Sequence, residues 1–272
     1  MDTLHIIYLL LLGSGVGLAA GLLGIGGGMV LVPFLTLLLP GFGVPAHLLV
    51  HAAIATSMAT IIFTSISSMR AHHKRGAIRW DIVRLIIPGI LVGGLLSGGA
   101  AFAAISPLVL ALVFSVFVLY TAYTMSWGKP PKAGRTMPGP AGIVGMGGVI
   151  GFVSGLLGAG GGFLSVPFMV RGNIDMRNAV ASSAALGFFI AVANSVGYIY
   201  SGLSQVQGYP GMLGYIYWPA LIFVSATSIF TAPIGASLAH RLPQKVLKRI
   251  FAVLLVCIAI YMQYLAFQPA LQ

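Results

Sequence analysis

The sequence predicts an all-α integral membrane protein made of two inverted-topology repeats. Each repeat is a glycine-broken hairpin, re-entrant or short-helix, followed by three transmembrane helices. Three observations predict this: an apolar composition, an internal duplication, and basic loops that alternate between the two halves.

Of 272 residues, 58% are hydrophobic and only 6% are charged. Soluble domains carry roughly a quarter charged residues, so a water-exposed surface cannot be built from this chain. Apolar runs of about 20 residues recur along its length, each long enough to cross a bilayer as a helix. The 37 glycines suit close helix packing in lipid. Lys and Arg number 14 against 3 Asp and Glu. The apolar content argues against a nucleic-acid partner, and the bases fall between apolar runs, where they set orientation. Cys257 is the only cysteine, which excludes an internal disulfide or a cysteine metal cluster. No metal site and no cofactor is expected. Met1, Asp2 and Thr3 lead straight into apolar sequence, so Leu4 onward reads as a retained membrane segment.

The duplication is explicit. Residues 21–28 read Gly-Leu-Leu-Gly-Ile-Gly-Gly-Gly and residues 155–162 read Gly-Leu-Leu-Gly-Ala-Gly-Gly-Gly. Val32-Pro33-Phe34 and Val166-Pro167-Phe168 follow at the same spacing, and Gly13, Gly17 and Gly21 match Gly147, Gly151 and Gly155 upstream. Ala53, Ala55 and Ser57 resemble Ala179, Ala181 and Ser183, and Gly99 to Pro107 resembles Gly235 to Pro243. The expected division is membrane repeat 1 (1–127), a Pro/Gly/Lys linker on the cytoplasmic side (128–140) and membrane repeat 2 (141–272). The first half reads as a hairpin over Leu4 to Pro40, then Leu48 to Met69, Ile82 to Ala104 and Leu108 to Trp127. The second reads as a hairpin over Ala141 to Val170, then Asn178 to Ser201, Gly214 to Ala239 and Val246 to Phe267.

Charge gives the topology. Arg70, Lys74, Arg75, Arg79 and Arg84 surround one loop of the first half, whereas the matching loop, Gly202 to Leu213, has no charge. Arg171 and Arg177 follow the second hairpin, and the matching loop, Gly41 to His47, has neither Lys nor Arg. Arg241, Lys245, Lys248 and Arg249 face an uncharged corner at Ala104 to Leu110. Positive loops stay in the cytoplasm. Equivalent loops therefore lie on opposite sides, both termini lie outside, and each hairpin returns to the side it left. Inverted repeats are a recurring plan of secondary transporters, with the site between the repeats; that step is an analogy of architecture.

The glycine breaks are the first candidate site: Gly24, Gly26, Gly27 and Gly28, and Gly158, Gly160, Gly161 and Gly162. A short apolar segment follows each break. A helix that begins inside the membrane offers unpaired N–H groups and a positive dipole end, an anion site made of backbone. The same glycines could instead serve only tight helix crossing, which is the reading for the upstream ladders. The second candidates are polar residues within apolar spans: Thr56, Ser57, Ser182, Ser183 and Asn194. Each could donate to an oxyanion, or else bond a neighbouring helix or its own. His51 is a candidate for a coupling proton, against an ordinary interfacial histidine. Asp2, Asp81 and Asp175 all fall outside the spans, so a carboxylate proton relay lacks its groups. An anion or neutral substrate fits.

The paired Gly-x-Gly-Gly-Gly breaks with Val-Pro-Phe behind them, at Gly24 to Phe34 and Gly158 to Phe168, resemble the sulfite exporter TauE/SafE family of membrane permeases over essentially the whole chain. The resemblance implies transport of small inorganic sulfur anions such as sulfite, or of organosulfonates, across the bacterial inner membrane, with no enzymatic activity. Only the glycine-proline motif carries over residue by residue. The expected partners are the small inorganic or organosulfonate anion and the lipid bilayer; a homo-oligomer stays open. The alternatives are a permease for another small anion or a metal cation, a non-transporting membrane subunit, and a membrane enzyme, for which no acid–base cluster is visible.

Overall fold

The computed structural model describes residues 3–23, 27–127, 136–239 and 244–267. The linker from 128 to 135, and with it most of the expected boundary between repeats, lies outside them, as do Gly24 and Gly26. The described residues are almost entirely helical. In order they are α1 (Thr3–Leu23), α2 (Gly28–Leu38) running into a 3₁₀ turn (Leu39–Phe42), α3 (Ala46–Lys74), and α4 (Trp80–Leu96). A π turn (Ser97–Ala101) and a short α5 (Phe102–Ala104) end that span. Then come α6 (Pro107–Trp127), α7 (Pro140–Leu157), α8 (Gly162–Arg171), α9 (Met176–Gly202), α10 (Trp218–Ala239) and α11 (Gln244–Ala266). Seven helices among the described residues are long and apolar enough to cross a membrane, and α2 and α8 are shorter apolar helices. The chain is thus an all-helical, multi-pass membrane protein.

The expected span limits are close to those observed, with one addition. Between α9 and α10 the chain makes a small ribbon, β1 (Met212–Leu213) antiparallel to β2 (Ile216–Tyr217). The sequence reading has no strand there, because two-residue strands leave no period to read.

The long helices α3 and α9 form the centre. In their apolar windows 83% and 67% of residues are buried, against 28% in α1. Outer helices instead turn Leu11, Val92, Val116, Tyr120 and Phe230 outward, where lipid can cover them. Packing crosses between the halves of the chain. Gly13 faces Val224 and Thr227, and Gly17 faces Ser228 and Thr231, so α1 runs parallel to α10 in close contact. Likewise Gly147 sits on Ile86 and Gly151 on Ile90, laying α7 parallel to α4. These are the small-residue ladders, and they do what such ladders do in lipid: they let backbones approach. The remaining large pairs are α6 with α11 and α3 with α9.

Both broken hairpins fold back. His5, at the start of α1, meets Phe42 with ring centroids 4.8 Å apart. Gly172, at the end of α8, lies against Met137 just before α7.

Candidate functional site

The two glycine breaks begin α2 and α8 in the same way. Gly27 (φ 68°) and Gly161 (φ 74°) cap these helices in the left-handed conformation, which residues with a Cβ adopt at a cost. The Gly27 carbonyl accepts from the Val30 and Leu31 N–H groups at 3.1 Å, and the Gly161 carbonyl accepts from Leu164 and Ser165 at 3.1 and 2.9 Å. The first N–H groups of each helix, at Gly28 and Met29 and at Gly162 and Phe163, have no intrahelical partner. They carry the positive end of the helix dipole.

The structure brings the two breaks together. A Cβ on Gly28 would overlap the Gly158 carbonyl oxygen, so glycine is required there by contact alone. Ser57 Oγ on α3 stands over both, donating toward the Gly28 and Gly158 carbonyls at 3.2 and 3.3 Å. Gly28, Gly158 and Ser57 therefore form one junction, with Gly27 beside it. Gly160 lies against α9, its carbonyl facing Gly187. Gly162 is buried as the first residue of α8.

The other candidate residues are placed elsewhere. Thr56 Oγ1 accepts the Tyr217 N–H at 2.9 Å, and Ser182 Oγ accepts the Arg79 N–H, also at 2.9 Å. Each ties its own half to the chain entering a helix of the other half. The sequence contains a signal for this pair: Gly76-Ala77-Ile78-Arg79-Trp80 and Gly214-Tyr215-Ile216-Tyr217-Trp218 share Gly-x-Ile-x-Trp. Ser183 Oγ accepts from Ser165 Oγ at 2.9 Å, joining α8 to α9. Asn194 Nδ2 donates to the carbonyls of Ile190 (2.9 Å) and Gly151 (3.3 Å), so it bridges α9 to α7. His51 Nε2 lies 3.0 Å from the Phe102 carbonyl and its ring stacks on Tyr215 at 5.0 Å. Thr60 and Thr64 bond back to carbonyls of their own helix.

Two cavities lie at opposite ends of α3. One, of about 550 Å³, is lined by Arg70, Lys74 and Arg75 with Phe63 and Ser67. The other, of about 220 Å³, is lined by His47, His51, Gln205 and Tyr215. The glycine junction sits at the level of Ser57, between them along α3.

A sequence profile described as "Sulfite exporter TauE/SafE" matches residues 9–262. A probable membrane transporter protein of Haemophilus influenzae is 38% identical over 259 residues, covering 94% of this chain and 97% of that protein. One from Methanocaldococcus jannaschii is 26% identical over 93% of this chain and 94% of its own. YdhB of Bacillus subtilis, another probable membrane transporter protein, is 26% identical over 85% and 89%. No solved structure matches. With its helical membrane architecture and a profile match spanning nearly its whole length, this chain belongs to the sulfite exporter TauE/SafE family, and it is a membrane transporter and not an enzyme.

Proposed function

We propose that the protein is a secondary transporter, an exporter, of small sulfur-containing anions such as sulfite or organosulfonates. It would work in the bacterial inner membrane as two repeats of opposite topology with both termini outside. The observation that carries the reading is the junction of the two breaks: α2 and α8 each begin at a left-handed glycine, and the breaks meet beneath Ser57. α2 begins at this junction, and α8 begins at Gly162 within the same break as Gly158; the unpaired backbone N–H groups of a helix start can hold an anion without a lysine. The substrate class is drawn from the family, whose profile is described as a sulfite exporter.

Further support comes from the approach. The larger cavity carries Arg70, Lys74 and Arg75, and a basic mouth raises the local concentration of anions. On the proposed topology that mouth faces the cytoplasm, which suits export. The opposite orientation of the repeats is supported by cross-half contacts: α3 and α9 run antiparallel, since Thr56 near the start of α3 bonds beyond the end of α9, and Ser182 near the start of α9 bonds beyond the end of α3.

The test is flux of sulfite, sulfate, thiosulfate and sulfoacetate into liposomes holding the purified protein, with chloride as control. Wild type should carry at least one sulfur anion well above empty liposomes. Gly27→Leu and Gly161→Leu should each lose at least tenfold, because a side chain at these positive-φ positions would press on Val16 and Ala20, or on Ile190 and Ser154, and displace the start of α2 or α8. Wild-type rates from both variants, correctly inserted, would move the site away from the breaks. No flux of any anion by wild type would end the reading.

A further inference from the structure

The geometry points to a binding site for a sodium-sized alkali cation at the C-terminal end of α7, formed by Asn194 Oδ1, Ser97 Oγ and Ser154 Oγ. It rests on the transport reading above for its purpose, but not for its chemistry.

Among the described residues, six buried side-chain polar atoms lack a hydrogen-bond partner: His51 Nδ1, Ser97 Oγ, Ser154 Oγ, Asn194 Oδ1, Ser195 Oγ and Ser225 Oγ. Three of these lie on or beside the last turn of α7, two of them at one spot and the third on the adjoining residue. Ser97, Ser154 and Asn194 are each 0% exposed. A Cβ on Gly155 would overlap both Asn194 Oδ1 and Ser97 Oγ, so these oxygens press on one spot that glycine keeps open. Ser154 is the preceding residue, and its Oγ faces the break, 3.1 Å from where a Cβ on Gly161 would stand. Leaving such groups buried and unpaired is unfavourable, and a bound cation removes that penalty.

The amide orientation decides the sign of the ligand. Asn194 spends its Nδ2 protons on the Ile190 and Gly151 carbonyls, so the atom left over is an acceptor. An acceptor cannot hold an anion. The spot lies at the C-terminal end of a helix, where the dipole is negative. Every donor atom is a neutral oxygen, which suits a hard cation and not a thiolate- or imidazole-seeking metal. Without a carboxylate, a monovalent ion fits better than a divalent one. The backbone is also irregular at this level: α4 widens into its π turn at Ser97, with Gly99 non-helical at ψ −118°, a feature common at functional sites.

The site is present in one half only. Counting from the matched glycines Gly21 and Gly155, Ala20 stands where Ser154 does. The break itself is duplicated and the oxygen cluster is not. One glycine turn thus joins two poles, the negative end of α7 at Gly158 and the positive end of α8 at Gly161. A cation on the first side and an anion on the second would offset each other's charge, which couples their binding.

The experiment is equilibrium binding of ²²Na⁺ to the purified full-length protein without any sulfur anion, competed by unlabelled Na⁺, K⁺ or choline. Wild type should bind saturably, and Na⁺ should displace the label while choline should not. Ser97→Ala and Ser154→Ala should each weaken binding at least tenfold. Ser225→Ala, which removes an unpartnered buried hydroxyl elsewhere, should bind as wild type does. No saturable binding by wild type, or unchanged binding by both Ser97→Ala and Ser154→Ala, overturns the site. Because no anion is present, a failure of anion flux leaves this result standing. Undiminished anion flux with choline as the only cation, alongside absent ²²Na⁺ binding, overturns the cation site alone.

Discussion

At the residue scale, the clearest arrangement is the reciprocal pair Thr56 to Tyr217 and Ser182 to Arg79. Each hydroxyl accepts a backbone N–H from the other half at 2.9 Å. Thr56 and Ser182 are both 0% exposed, so water cannot replace the lost acceptor. We predict that Thr56→Val and Ser182→Ala each destabilise the protein by about 1–3 kcal/mol, and that Thr56→Ser restores most of it. Thermal unfolding in detergent reads this; a midpoint unchanged by both substitutions refutes it. The sequence marked these hydroxyls as polar residues inside apolar spans, which is all that spacing can show. Their use was hidden, because the partner is a main-chain group more than a hundred residues away. Ser97, Ser154 and Gly155 were harder still: each reads as an ordinary small residue of a packing ladder until Asn194 is placed beside it.

At the element scale, glycine decides which helices touch. On α4, a Cβ at Gly93 would overlap the backbone of Gly148 on α7, whereas on α1 a Cβ at Gly15 meets nothing within 4 Å. We predict that Gly93→Ala separates α4 from α7, lowering both the unfolding midpoint and the yield of monodisperse protein. Gly15→Ala should be neutral or slightly stabilising, since alanine gains about 1 kcal/mol over glycine in a helix interior. Equal behaviour of the two variants in gel filtration and thermal unfolding would show that contact does not set the outcome. The ladders were legible because packing in lipid imposes a fixed small-residue spacing. The β1–β2 ribbon was not, although Gly-x-Ile-x-Trp, shared by residues 76–80 and 214–218, marks the chain leading into α4 and α10 in both halves.

For the whole molecule, composition was enough to give an all-helical, multi-pass membrane protein, because few charges and repeated apolar runs favour spanning helices. Orientation came from charge alone, and it is testable. In a Cys257→Ser background, a single cysteine at Ser204 should react with an impermeant thiol reagent added to intact cells, and one at Arg75 should react only after permeabilisation. Labelling of both or neither in intact cells refutes the topology. The partner choice of α1 and α7 has a further consequence, for biosynthesis. The first helix of each hairpin finds its partner in the other half: α1 packs on α10, and α7 on α4. The ribosome makes α1 about two hundred residues before α10, so the Gly13–Gly17 face must wait in the bilayer through that stretch of translation without its mate. Each half alone is therefore an unfinished object, exchanged with its sibling in the manner of a domain swap, and the native structure can close only once both have been inserted.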